Sequence, residues 1–185
     1  RWRYELSVPL KLVFALGLAC FTGLCAQIRI PHPFTDVPIT GQVFAVLLSG
    51  VLLGRSYGAT SQFFYVGLGA MGVPWFAGGD GGLRSILGRS GGYLIGFILA
   101  AALVGWFTDR RIRPRGIWGQ ALLMMVAVAI VYLFGAFQYA MVMRTGLWVT
   151  LMRTVVLFIP IDLAKALAVN ALVWRSCPSP PTPKK

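Results

Sequence analysis

Apolar residues run along this chain in long blocks, most of them near the roughly 20 residues that a helix needs to cross a bilayer, with short polar, proline-rich or glycine-rich breaks between them. The first block covers about Val8 to Ile28, and its small residues Ala15, Ala19 and Gly23 recur at every fourth position, making one narrow stripe on a helix. A second block, Ile39 to Leu53, and a third, Gly58 to Met71, are separated only by Gly54, Arg55, Ser56 and Tyr57, which predicts a tight turn marked by Arg55. The fourth runs from Gly91 to Phe107, the fifth from Trp118 to Tyr139, and a short sixth from Pro160, suited to a first helical turn, to Trp174. Between them, Pro31, Pro33 and Pro38 forbid a regular helix and predict a loop. The stretch before Pro160 reads as a re-entrant or surface segment, because Arg144 and Arg153 are costly in lipid. No block alternates as a barrel strand would, and backbone inside lipid must bond within its own segment, so the blocks are helices. The pattern predicts an all-α integral membrane protein: six transmembrane helices in one bundle over residues 1–175, then a disordered cytoplasmic tail over 176–185.

Composition agrees, with 57% hydrophobic residues and a mean hydropathy of +0.75. The net charge of +12 would suggest a nucleic-acid partner in a soluble protein. Here the basic residues punctuate apolar blocks and act as topology signals, so no nucleic-acid site is expected. Eleven of the 17 lysines and arginines fall on one side, at the N-terminus, at Arg55, in the cluster Arg110, Arg111, Arg113 and Arg115, and in the tail. That excess places both termini in the cytoplasm and puts Arg29, Arg84, Arg89, Arg144 and Arg153 outside. The first block is too long for the core of a cleaved leader. Cys20, Cys25 and Cys177 are odd in number and lack paired spacing, and His32 is the only histidine, so neither a disulfide framework nor a metal site is indicated.

Candidate chemistry concentrates in two places. Residues 67–97 are dense in glycine, including seven between Gly78 and Gly92, bracketed by Trp75, Phe76 and Tyr93. Glycine at that density suits backbone that turns tightly or approaches a ligand, and the stretch reads as a binding lid at the outer face. It is no phosphate loop, since neither the GxxxxGK[ST] pattern nor a preceding strand is present. The second place is Asp162 and Lys165, three apart on one helical face and each costing about 2.5 to 3.5 kcal/mol at a helix centre in lipid. A pair that merely neutralises itself is one account, and a site for a small ligand carrying both N–H donors and a carboxylate or carbonyl is the other. An intramembrane enzyme would need a nucleophile beside a base, or metal ligands, and the embedded segments carry no such pattern.

The segments AQIRIP, VPITGQVFAVLLSGVLLG, GVPWFAGGDGGL, GRSGGYLIGF and FIPIDLAKAL, in this order, resemble the BioY family, the biotin-binding S components of energy-coupling-factor transporters. The resemblance implies a six-helix protein of the cell membrane that takes biotin from outside and docks on a transmembrane coupling subunit driven by ATPase subunits. Some family members are thought to work without those partners, and an S component for another vitamin is the alternative. By position, Asp162 and Lys165 match the family's Pro-x-Asp-x-x-Lys pair, and Gly91, Gly92 and Tyr93 match its Gly-Gly-Tyr. Phe76 and the following loop, with Asp80, Gly82 and Arg84, match the segment that closes over the ligand ring. Ala15 and Ala19 match the AxxxA motif used for docking the coupling subunit. The resemblance implies that Asp162 accepts the ureido N–H groups while Lys165 or a loop arginine meets the valerate carboxylate. The chain departs from the family at Arg89 and Ser90, where Pro-Thr is common, at Ile161, where Gly is common, and at Gly41.

Overall fold

In the computed structural model, which describes residues 6–109 and 117–176, the long apolar blocks are helical. In chain order the elements are α1 (Val8–Gln27), β1 (Arg29–His32), β2 (Thr35–Thr40), α2 (Gln42–Ala70), α3 (Leu83–Leu87), α4 (Gly91–Asp109), α5 (Ile117–Met143), α6 (Leu147–Leu151), a π-helical turn (Met152–Val156) and α7 (Ile159–Ser176). Five stretches are long and apolar enough to cross a membrane: Val8–Gln27, Gln42–Ala70, Gly91–Asp109, Trp118–Met143 and Leu147–Leu172. Arg1, Arg3, the arginine cluster between 110 and 116, Cys177 and the tail from 177 lie outside the described residues.

Helical backbone continues through α2, yet the element folds back on itself. Gly54 takes φ 79° and ψ −172°, a backbone that a side chain would strain. The chain reverses there: Gln42 Nε2 donates to the Tyr65 hydroxyl at 2.7 Å, and Gln62 Nε2 to Ser49 Oγ at 3.1 Å. Residues 42 and 65 of one straight helix would stand about 35 Å apart. Arms 42–53 and 55–70 are therefore antiparallel neighbours, and the turn lies where Arg55 predicts it. Asp109, at the end of α4, closes the turn by accepting the Arg55 N–H at 2.8 Å, as a capping carboxylate does at a helix start.

The α2 hairpin sits at the centre, with α1 against one side and α4 against the other; α5 covers α4, and α7 touches both α2 and α5. Leu47, Tyr65, Met124 and Tyr139 are fully buried between them, while Leu24, Leu122, Leu133 and Phe137 point outward, as lipid-facing residues do.

The stripe on α1 faces inward: Ala15 and Ala19 are each 0% exposed, so the small residues let α1 approach the chain's own hairpin. Two expectations change. The proline-rich stretch is a β-hairpin, not a loop. Arg29 pairs with Thr40 and Ile30 with Ile39, and the register then shifts before His32 pairs with Thr35. Pro31 and Pro38, which cannot donate, fall in that interrupted stretch. Finally, the stretch before Pro160 is helical rather than a surface excursion. α7 does begin beside Pro160, but it continues an apolar run that starts at Leu147, so the last crossing is not short.

Candidate functional site

At one end of the bundle a cavity of about 640 Å³ opens among β2, the first arm of α2, the glycine-rich segment, α4, α5 and α7. Its inner wall is apolar, with Val43, Leu94, Phe97, Val131 and Phe158 among the lining residues. Into that wall project Asp162, 2% exposed, and Lys165. Lys165 Nζ donates to Asp162 Oδ1 at 2.5 Å, and the Tyr132 hydroxyl donates to Oδ2 at 2.7 Å. Both carboxylate oxygens thus have a fixed donor and keep acceptor capacity, and the ammonium keeps two further hydrogens. A buried pair held this way is charge-compensated and aimed, the arrangement required if it is to read polar atoms of a guest.

The roof is the segment after α2. Phe76, 3% exposed, sets its ring edge-on to Tyr65 with centroids 5.4 Å apart and lies against Gly69. The Phe76 N–H donates to the Asp80 carbonyl at 2.9 Å, closing a tight loop over 76–80. A hydrogen-bonded relay ties this roof to the core: Thr40 Oγ1 donates to Gln42, Gln42 to Tyr65, and Tyr65 to the Trp75 carbonyl, at 2.6, 2.7 and 3.3 Å. Gln27 Nε2 at the end of α1 reaches the carbonyls of Trp75 and Phe76, each at 3.2 Å. On the other flank, Gln138 Nε2 donates to the carbonyls of Ile86 and Gly88 at 2.6 and 2.7 Å, pinning α3 to α5.

The mouth is basic. Arg29, Arg84 and Arg89 line it with Asp80. Arg89 stands 4.0 Å from Asp36 of β2. Among the described residues, Arg29 and Arg84 have no carboxylate within ion-pair distance and make no side-chain hydrogen bond, so two exposed guanidinium groups are available to an anion there.

Of the residues singled out from the sequence, Phe76, Asp80, Arg84, Tyr93, Asp162 and Lys165 come together around this cavity. Tyr93 does so indirectly as well, donating its hydroxyl to the Thr154 carbonyl of the π-helical turn at 3.1 Å. Gly82, Gly91 and Gly92 do not line the space. Gly82 donates its N–H to the Gly69 carbonyl at 2.7 Å, and Gly91 and Gly92 let α4 pack directly on the backbone of Ile86 and Phe134, where a Cβ would collide. Sequence reasoning missed Arg29, Gln42, Tyr132 and Phe158. Arg29 counts in the sequence only as an outer charge, while Tyr132 carries a signal, being the sole polar-tipped side chain between Ala121 and Phe137.

Residues 5–179 match the model of the BioY family. A "Probable biotin transporter BioY" of Methanothermobacter thermautotrophicus is 42% identical over 141 residues, covering 72% of this chain and 90% of that protein. The "Biotin transporter BioY" of Lactococcus lactis subsp. cremoris is 32% identical over 149 residues, covering 79% and 78%. Among solved structures, the S-component for biotin from an ECF-type ABC transporter superposes with a TM-score of 0.84 at 28% identity, covering 93% of this chain and 94% of that one.

Proposed function

The chain belongs to the BioY family, and from that membership we propose that it takes up biotin across the cell membrane, capturing it from outside as the S component of an energy-coupling-factor transporter. The observation that carries the proposal is the division of charge in the cavity: a compensated, buried Asp162–Lys165 pair within an apolar wall, and free guanidinium groups at an exposed mouth. Biotin has a cyclic urea with two N–H donors and one carbonyl, a sulfur ring, and an aliphatic chain ending in a carboxylate. Asp162 accepts the urea N–H groups, Lys165 donates to the urea carbonyl, and the rings fill the space against Phe97 and Phe158 below Phe76. With Lys165 placed against the urea carbonyl deep in the cavity and Arg89 standing beside Asp36, the carboxylate at the mouth goes to Arg84 or Arg29, which have no carboxylate of their own among the described residues.

Counting each arm of α2 as a separate pass, the five apolar stretches make six crossings, with both termini on the cytoplasmic side and the cavity facing out. Coupling to a transmembrane subunit and its ATPases supplies the energy for release inward.

The test is equilibrium biotin binding by purified protein in detergent, with Asp162→Asn and Lys165→Ala alongside. Breaking one side of a buried charge pair costs about 2 kcal/mol or more, so each variant should bind roughly 30-fold more weakly or worse. A folded parent that ignores biotin but binds another vitamin would move the specificity and keep the transport class.

A further inference from the structure

A second cavity, of about 650 Å³, lies on the other side of β2, between the tip of the β-hairpin and the π-helical turn. Its floor is apolar, formed by Met152, Val156 and Phe34, and Phe34 is 70% exposed. Four polar side chains reach it: His32, Thr35, Asp36 and Arg153, and Thr35 Oγ1 is taken up by the Val37 N–H at 3.2 Å. Asp36 is already engaged, by Arg89 and by the Tyr139 hydroxyl at 3.4 Å. His32 Nδ1 accepts the Phe34 N–H at 3.4 Å, which leaves Nε2–H as the donor of the ring. Arg153 is exposed and, among the described residues, has neither an ion-pair partner nor a side-chain hydrogen bond. The groove therefore presents the unpaired Arg153 and the His32 N–H above an apolar floor, with the half-exposed Asp36 carboxylate drawn toward Arg89 and Tyr139 at its edge.

Its level in the membrane identifies what meets that charge. Arg153 lies six residues inside the apolar stretch Leu147–Leu172, about 9 Å from its start at helical rise. Trp148, 72% exposed, stands just above it, at the depth that tryptophan favours beside lipid headgroups. A guanidinium at this depth reaches toward the interface, where phosphate is the anion at hand, and Arg binds phosphate in a bidentate fashion. We propose that this groove is a lipid site that seats the phosphate of an anionic phospholipid on Arg153 and His32, with the upper acyl chain along Phe34, Met152 and Val156. None of these residues lines the first cavity, so the proposal stands independently of the biotin reading.

The experiment is native mass spectrometry of delipidated protein titrated with phosphatidylglycerol or phosphatidylcholine. Phosphatidylglycerol should be retained preferentially. Arg153→Gln should weaken its retention roughly fivefold, the effect of one charge-assisted contact, and Arg153→Lys, which keeps the charge but loses the bidentate fork, should fall between that variant and the parent. His32→Phe, which keeps a ring but removes the donor, should weaken it less. Biotin binding, unchanged in all three, reports that each variant is folded; if Arg153→Gln loses it, the His32→Phe comparison decides. Equal retention of the two lipids, full retention by Arg153→Gln and His32→Phe, or displacement of the lipid by excess inorganic phosphate would each overturn the proposal.

Discussion

Arg84 and Arg29 are exposed at the cavity mouth, and a contact made by either to a carboxylate is shared with water. Exposed ion pairs contribute about 0.2 to 1 kcal/mol, so Arg84→Gln or Arg29→Gln should weaken biotin binding by no more than about fivefold. The informative comparison is with biotin methyl ester, which lacks the charge. If a guanidinium meets the carboxylate, its loss leaves ester affinity unchanged while acid affinity falls, and equal loss for both ligands would remove the arginine from that role. The Asp162–Lys165 pair was legible in the sequence because a charge pair inside an apolar block has few uses. Its partner Tyr132 was harder to see, since a tyrosine within an apolar helix can equally lie at the interface or in the core, and only packing says which carboxylate its hydroxyl meets.

Among elements, α3 and the Gly88 that ends it are held to α5 by the two bonds from Gln138, with the half-buried Ile86 as the side chain of α3 that packs on the core. Each such bond contributes about 0.5 to 1.5 kcal/mol, so Gln138→Leu should free the segment. Biotin dissociation, followed by stopped flow or filter binding, should then speed up roughly tenfold with a smaller change in association. An unchanged off-rate would show that the roof does not retain the ligand. The helices on either side of this segment follow from the apolar blocks, and so does the reversal between the second and third, because Gly54 and Arg55 interrupt apolar sequence for only a few positions. The β-hairpin at 29–40 was not legible. Three prolines argue against regular structure of any kind, and a two-stranded ribbon survives them only because Pro31 and Pro38 fall where the ladder is already interrupted.

For the whole molecule, the proposed count of six passes requires Ser56, in the α2 turn, and Arg84, at the cavity mouth, to lie on opposite sides of the membrane. With the native cysteines replaced, a thiol reagent that cannot cross membranes should label Arg84→Cys on intact cells and Ser56→Cys only after permeabilisation. Labelling of both from outside would reject that topology. The sequence by itself determined that this is a helical membrane protein, where most of its apolar helices lie, the BioY kinship and the Asp162–Lys165 pair. All of these rest on hydrophobic blocks, charge placement and local motifs, which are read along the chain. The tertiary structure alone decided that Ala15 and Ala19 turn inward, that Gly91 and Gly92 serve helix packing instead of lining the cavity, and that Arg29 and Tyr132 join it. Those outcomes depend on which faces of distant segments meet, and a small residue or a lone tyrosine carries the same local signal whichever neighbour it finds.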